Sequence, residues 1–183
     1  GGSSNRMADS FVTYSGTAAS VISATHLAGS SVIAWGATAD LGSYTCSSSL
    51  GQITLSQSAT FACVGLPYEA WYKSAKLAHL STALGTALLQ RKRVSHLGLV
   101  MAHVHAQGLQ YGPSTDSPDL DSLPLIEVGT SISTDVVNAT YDYDTVEFNG
   151  EWNTDSRIVL RAVAPRPVTV LGAVITIDTR EKK

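Results

Sequence analysis

Short apolar runs alternate with polar positions along almost the whole chain, and Gly, Pro, Ser or Asp breaks them every ten or so residues. Phe11-Val12-Thr13-Tyr14, Val21-Ile22 and Ser31 to Trp35 are β-branched and aromatic, and Ser15-Gly16, His26 to Gly29 and Gly36 to Asp40 separate them. They predict strands joined by turns. Gln52 to Leu55 and Thr60 to Val64 flank the small polar stretch Ser56 to Ala59, which predicts a hairpin. Gly65-Leu66-Pro67 then sets a residue of free φ beside one of fixed φ, so a corner is expected. Beyond it, Tyr68 to Leu77 reads as a new strand with Tyr68, Ala70 and Tyr72 on one face and Glu69, Trp71 and Lys73 on the other.

From Ala75 to Leu89 the positions of Leu77, Leu80, Leu84 and Leu88 fit one short helix, while Gly85 fits a loop equally well. Arg93 to His105 is apolar on both faces and predicts a central strand. Tyr111 to Pro124 holds Pro113, Pro118, Pro124 and three aspartates, the pattern of a loop that serves contact rather than folding. Ile132 to Val137, Thr145 to Phe148, Ile158 to Val163 and Val168 to Ile177 supply further strands, and Pro165 and Pro167 place a bend at a sheet edge between the last two. The fold class expected is all-β, an antiparallel β-sandwich or barrel-like sheet pair with at most one short helix. No repeat of about 20–50 residues points to a solenoid or propeller.

The chain has 183 residues, 44% hydrophobic and 15% charged, enough for a core without metal or disulfide staples and too apolar for disorder. A single β domain over residues 11–178 is expected, with a C-terminal tail over 179–183. Residues 1–10 read as a tail, a scar or a linker: Gly1 to Arg6 precede Met7, as in a piece of a longer parent. Net charge is −3, but no Lys or Arg lies between Arg93 and Arg157, where ten of the fifteen acids fall. That stretch is an anionic block. Cys46 and Cys63 match no zinc spacing and are expected as reduced core thiols, with a disulfide as the alternative. No apolar run approaches the ~18–20 residues of a membrane span and no leader pattern opens the chain, so a soluble protein without a membrane anchor, made inside a cell, is expected.

Candidate chemistry is sparse. His103 and His105 are two imidazoles close in sequence, but no Cys or Glu stands at ligand spacing, with His96 and His79 as partners only if the strand ended at Val104, so no metal is expected there. Asp116, Asp119 and Asp121 have the carboxylate density of a Ca²⁺ or Mg²⁺ loop but lack its glycine and distal glutamate, so a solvated acidic loop is expected and no metal or cofactor is assigned. Neither a nucleophile elbow nor a phosphate loop occurs. Asp142, Asp144, Glu147 and Glu151 could pair as acid and base in a glycosidase cleft, a reading that spacing cannot carry, and no catalytic residue is assigned. Arg91-Lys92-Arg93 is the one concentrated positive charge, a candidate for DNA phosphates set against a solvated strand-edge guard. Trp35, Trp71 and Trp152 would serve an alternative function, a carbohydrate-binding β-sandwich recognising host glycans, unless they are core residues.

One resemblance spans nearly the whole chain. It rests on Asp9 and Tyr14 before Gly16; His26-Leu27 with Gly29 ahead of Val32; Gly51 to Leu55; Val64-Gly65-Leu66-Pro67-Tyr68; Arg91 to Val94; Gly108-Leu109 with Tyr111-Gly112; and Pro165, Pro167 and Val168 through Val174. In their order these segments resemble the C-terminal region of bacteriophage tail nozzle or hub proteins, and Ala28 departs from the acidic residue more usual after His-Leu. The resemblance implies a non-enzymatic structural domain of the virion tail. Its partners would be other copies of itself in a ring, sixfold in that family, neighbouring tail or adaptor proteins, and genomic DNA in transit. The loop from Tyr111 to Pro124, with Asp116, Asp119 and Asp121, and the turn at Asn149-Gly150 are then the candidate contact loops.

Overall fold

The computed structural model describes residues 7–78, 89–127, 130–133, 136–141 and 145–179, and over them the chain is built of antiparallel strands with two single-turn 3₁₀ segments, Thr25–Leu27 and Ser117–Asp119. No helix among the described residues is long and apolar enough to cross a membrane. The helix-or-loop reading of Ala75 to Leu89 falls mainly on 79–88, outside the described residues.

The first sheet contains β1 (Asp9–Ser23), β2 (Ser31–Trp35), β3 (Asp40–Thr45) and β4 (Gln52–Leu66) in the order β1-β4-β2-β3. The hairpin expected within residues 52–64 does not form. Ser56 to Ala59 stay inside one continuous strand: β1 pairs with β4 up to Thr54 and again from Ala59 across a register shift, and between them the Ser56 amide donates to the Tyr44 hydroxyl. Register shifts between Ser15 and Val21 bend this long ribbon, and Ile22, Ile53, Leu55, Ala62 and Val64 join Leu27, Val32 and Ala34 in one core. Gly51 has φ +59, and a Cβ there would lie 2.4 Å from Thr25 Cα, so only glycine lets β4 start beside the 3₁₀ turn. Cys46 and Cys63 are both buried, as expected of core thiols.

After Pro67 the chain leaves this sheet for a second, formed by β5 (Glu69–Lys73), β7 (Leu109–Gly112), β8 (Asp121–Ser122) and β13 (Val159–Val163) in the order β5-β13-β7-β8. The expected corner therefore exists at Pro67. Gly65 serves it differently from expectation: it stays within β4 opposite Ile33, and its bare Cα lets the start of β1 approach. The strand predicted over Tyr68 to Leu77 ends at Lys73. Beyond it the Ser74 and Leu77 amides donate to the carbonyls of Ile158 and Ser156.

The third sheet is centred on β6 (Lys92–Val104), as its two apolar faces predicted. β14 (Thr169–Thr179) lies along one side, and β11 (Asn138–Tyr141) and β12 (Val146–Glu147) along the other, since Met101 pairs with both Val170 and Tyr141. β9 (Ile126–Glu127) and β10 (Thr130–Ser131) form a small separate ladder. The alternation of β6 is not regular. Ser95 is an extra residue opposite Thr176 and Ile177, and His103 takes φ +52, so Val94 and Val104 turn inward on the same side as Leu97, Leu99 and Met101. Those residues and Leu109, Tyr111, Phe148, Ile158 and Leu160 pack the second and third sheets together as a sandwich.

Two further expectations change. No described residue of Ile132 to Val137 lies in a strand; the pairing falls at Asn138–Tyr141, where Asn138 Nδ2 also donates to the Val104 carbonyl. The segment Tyr111 to Pro124 is not a free loop. It finishes β7, forms a 3₁₀ turn and β8, and buries Leu120 and Leu123. The bend holding Pro165 and Pro167 carries the chain from β13, a central strand, to β14, which pairs only with β6 among the described residues. It also meets the first sheet: Ala164 packs with Trp35 and Cys63, and Arg166 Nε lies 3.2 Å from Asp40 Oδ2.

Candidate functional site

The two candidate contact loops come together. Asn149 Nδ2 donates to Asp121 Oδ2 at 3.0 Å, which ties the stretch after β12 to the start of β8. Asn149-Gly150 is not a projecting turn, however. A Cβ on Gly150 would lie 2.4 Å from the Val94 carbonyl oxygen, so the backbone is pressed against β6 where Ser95 bulges. The Phe148 amide donates to the Ser95 carbonyl there. Asp116 and Asp119 are exposed on the 3₁₀ turn, but Ser114 Oγ donates to Asp119 Oδ2 at 2.6 Å and accepts from the Asp116 amide at 3.0 Å. The three aspartates thus serve a local turn and a cross-link between loops, and no group of three or more metal-ligating side chains occurs among the described residues.

The basic triplet is built into the sandwich edge. Lys92 is 0% exposed, with Nζ donating to the carbonyls of Thr154 at 3.1 Å and Gln90 at 3.3 Å. Burial holds its amine below the usual lysine pKa. Arg93 donates to Asp178 at 2.9 Å and lies over the Trp152 ring, and the hydrogen bond from Arg93 keeps the Asp178 carboxyl below its ordinary range. Arg91 is exposed and donates to the Trp152 carbonyl at 3.4 Å. The reading of the triplet as a solvated edge guard is therefore corrected, and as a surface for phosphates it offers Arg91 chiefly, because Lys92 is buried and Arg93 is paired.

The tryptophans do not form a platform. Trp35 is 1% exposed and meets His105 edge to face, with ring centroids 5.7 Å apart, at the junction between the first sheet and the sandwich. That burial removes Trp35 from the glycan reading. Trp71 stays partly exposed, beneath Arg161 and donating Nε1 to Glu69. Arg161 also bonds Gln110 and both oxygens of Glu69, and its hydrogen bond lowers the Glu69 pKa. His103 is exposed and His105 buried; two residues apart, they would share a face of a straight strand, and the φ of +52 at His103 and the end of β6 at Val104 separate them, while the Gln107 amide donates to His105 Nδ1. Glu147 and Glu151 are exposed, while Asp142 and Asp144 lie outside the described residues.

Two features were not singled out in the sequence. An apolar cleft of about 700 Å³ opens between β5 and β14, lined by Ala70, Tyr72, Leu160, Val170, Ala173 and Ile175 among others. Beside it β14 pairs only with β6 among the described residues. The uncharged run from Val168 to Ile177 was the signal available, but only the strand order shows which strand it pairs with. Compared with protein-family models and with curated proteins, the chain matches none.

Proposed function

We propose that this chain is a non-enzymatic structural domain of a bacteriophage tail nozzle or hub, one of several copies arranged as a ring around the path of the genome. The observation that carries this reading is the ordered set of nozzle-like segments in the sequence, and the places those residues hold in the fold support it. Leu27 is buried in the first core, Gly51 and Gly65 allow close backbone approaches, and Pro165 and Pro167 lie in the bend that joins the sandwich to the first sheet. These are positions that decide shape rather than chemistry. Ionic groups are likewise used between strands and neighbouring segments, in Arg93–Asp178, Arg161–Glu69 and Arg166–Asp40.

The acidic block suits a wall past which DNA slides, since a lining that bound phosphates tightly would retain the genome. Asp116, Asp119, Glu147, Glu151 and Asp155 of that block are exposed. Immunogold labelling with an antibody raised against this chain, on virions of the phage that encodes it, should decorate the tail, and averaged images should show a sixfold ring. Recovery of the chain as a free enzyme that degrades host polysaccharide would overturn the assignment.

A further inference from the structure

We infer that Asn149 is a site of spontaneous covalent modification: when the stretch after β12 lifts from β6, the Gly150 backbone nitrogen displaces the Asn149 side-chain amide as ammonia, and the carboxylate left behind cannot restore the link to β8. Four asparagines occur in the chain, and Asn149 alone precedes a glycine, the residue that leaves its own nitrogen least shielded. Asn149 is exposed to water. Both members of this labile pair are required where they stand. The Asn149 amide nitrogen can donate to Asp121 Oδ2, whereas a carboxylate there could only accept, and a Cβ on Gly150 would lie 2.4 Å from the Val94 carbonyl oxygen. The fold therefore cannot relieve the lability by placing alanine at 150 or a carboxylate at 149.

The chemistry is carried by these two residues and water. Hydroxide takes the Gly150 amide proton, and the nitrogen attacks the Asn149 side-chain carbonyl carbon, Cγ. A cyclic imide forms as the bond from Cγ to Nδ2 breaks, and that nitrogen takes a proton from water and departs as ammonia. Water then adds to one of the two imide carbonyls and opens the ring. Cleavage at Cγ leaves an aspartate. Cleavage at the main-chain carbonyl leaves an isoaspartate, whose backbone runs through the side chain and is one carbon longer. In sum, an amide and a water become a carboxylate and an ammonium ion.

The folded chain holds the reacting atoms apart. The φ of Asn149 is negative, and the Gly150 N–H donates to the Phe148 carbonyl at 2.8 Å, which closes an inverse γ-turn centred on Asn149. A hydrogen-bonded amide gives up its proton less readily, and this one is aimed at Phe148 rather than at the Asn149 side chain. The side-chain amide is itself held by Asp121 at 3.0 Å. Swinging the Gly150 nitrogen toward Cγ would move a backbone that has no room, since Val94 lies against Gly150 and the Phe148 amide is bonded to the Ser95 carbonyl. Attack therefore goes through a local opening that breaks these three bonds. Reclosure is then penalised. An aspartate at 149 sets a second carboxylate against Asp121 where a donor stood, and an isoaspartate lengthens the backbone beside its closest approach to β6.

The test is the rate of conversion at Asn149, read by peptide mass mapping of the chain kept in warm, mildly alkaline buffer with and without urea. Folded wild type should convert about a hundredfold more slowly than unfolded, the factor carried by one charge-assisted and two ordinary hydrogen bonds. Asp121→Ala should raise the folded rate about tenfold and leave the rate in urea unchanged. Should that variant fail to fold, Asp121→Asn takes its place, since it keeps the shape and weakens the bond to one between neutral groups. Asn149→Asp stands for the aspartate product. Hydrogen exchange at the Phe148 amide should be about tenfold faster in it than in wild type, and the swapped pair Asp121→Asn/Asn149→Asp, which again sets a donor against a carboxylate, should bring exchange back. No conversion at Asn149 in urea, a folded rate that matches the unfolded one, or an Asp121 variant no faster than wild type would each overturn the inference. So would exchange in the swapped pair as fast as in Asn149→Asp.

Discussion

Gly65 should be among the least replaceable positions of the chain, for a reason that lies across the sheet. A Cβ there would sit 2.7 Å from the Asp9 carbonyl oxygen and 2.8 Å from the Cβ atoms of both Ala8 and Phe11. Asp9 and Phe11 lie at the start of β1 and Ala8 just before it, where Ala8 is buried and Asp9 pairs with Leu66. Gly65→Ala cannot be absorbed by a rotamer change, because one obstacle is backbone and the other two are first side-chain carbons. The start of β1 must lift away. Overpacking of this kind costs about 1–3 kcal/mol, and with a backbone oxygen in the way about 2 kcal/mol is expected for Ala and above about 3 for Val. At roughly 2–4 °C per kcal/mol for a chain of this size, Gly65→Ala should lower the melting midpoint by about 4–8 °C. Gly172 is the control, since a Cβ there meets nothing within 4 Å. Gly172→Ala should leave stability unchanged or raise it by about 0.5–1 kcal/mol, the conformational cost of glycine in a strand. Urea unfolding reads both as midpoint shifts at constant slope. The close-approach argument is refuted if Gly65→Ala shifts the midpoint no more than Gly172→Ala.

Three further outcomes are expected. Lys92→Met should change stability at neutral pH by less than about 1 kcal/mol, because it removes a buried charge along with its two carbonyl contacts, whereas Lys92→Glu should lose more than about 3; equal losses in chemical unfolding would count against a buried ammonium. As burial depresses the Lys92 pKa in the folded state, the unfolded chain binds more protons, so wild-type stability relative to Lys92→Met should rise as pH climbs through the lowered folded value toward 10.5. Glu69 is depressed by its Arg161 hydrogen bond from the ordinary 4.5, so its contribution is present above that value and lost as pH falls through the folded pKa; Glu69→Gln should flatten the acid limb of the urea-midpoint profile. Thermal melting should be insensitive to EDTA, and a drop of several degrees would instead make Asp116, Asp119 and Asp121 a cation site.

What could be read from the sequence and what could not divides along one physical line. Periodicity reports whether a residue is extended and whether its neighbours alternate, so the all-β class, the central position of β6 and the corner at Pro67 were legible. Pairing partners are not local, so Ser56 to Ala59 looks like a turn in sequence, although β1, over thirty residues away, pairs with β4 on both sides of that stretch and keeps it one strand. The same limit hid the meaning of charge. Arg91-Lys92-Arg93 reads as a solvated cluster in one dimension, yet Thr154, Asp178 and Trp152, all far along the chain, are what bury, pair or stack it. Asp121 and Asn149 were each nominated singly, and their hydrogen bond could not have been. Asn149-Gly150 is the sharpest case. The dipeptide is labile in a free turn and protected in a held one, and nothing beside it in the sequence distinguishes the two. Here the Asp121 carboxylate and the Val94 backbone hold it. That restraint belongs to the fold alone, which is why the lifetime of Asn149 is to be read against a substitution at Asp121 and not from its neighbours in the chain.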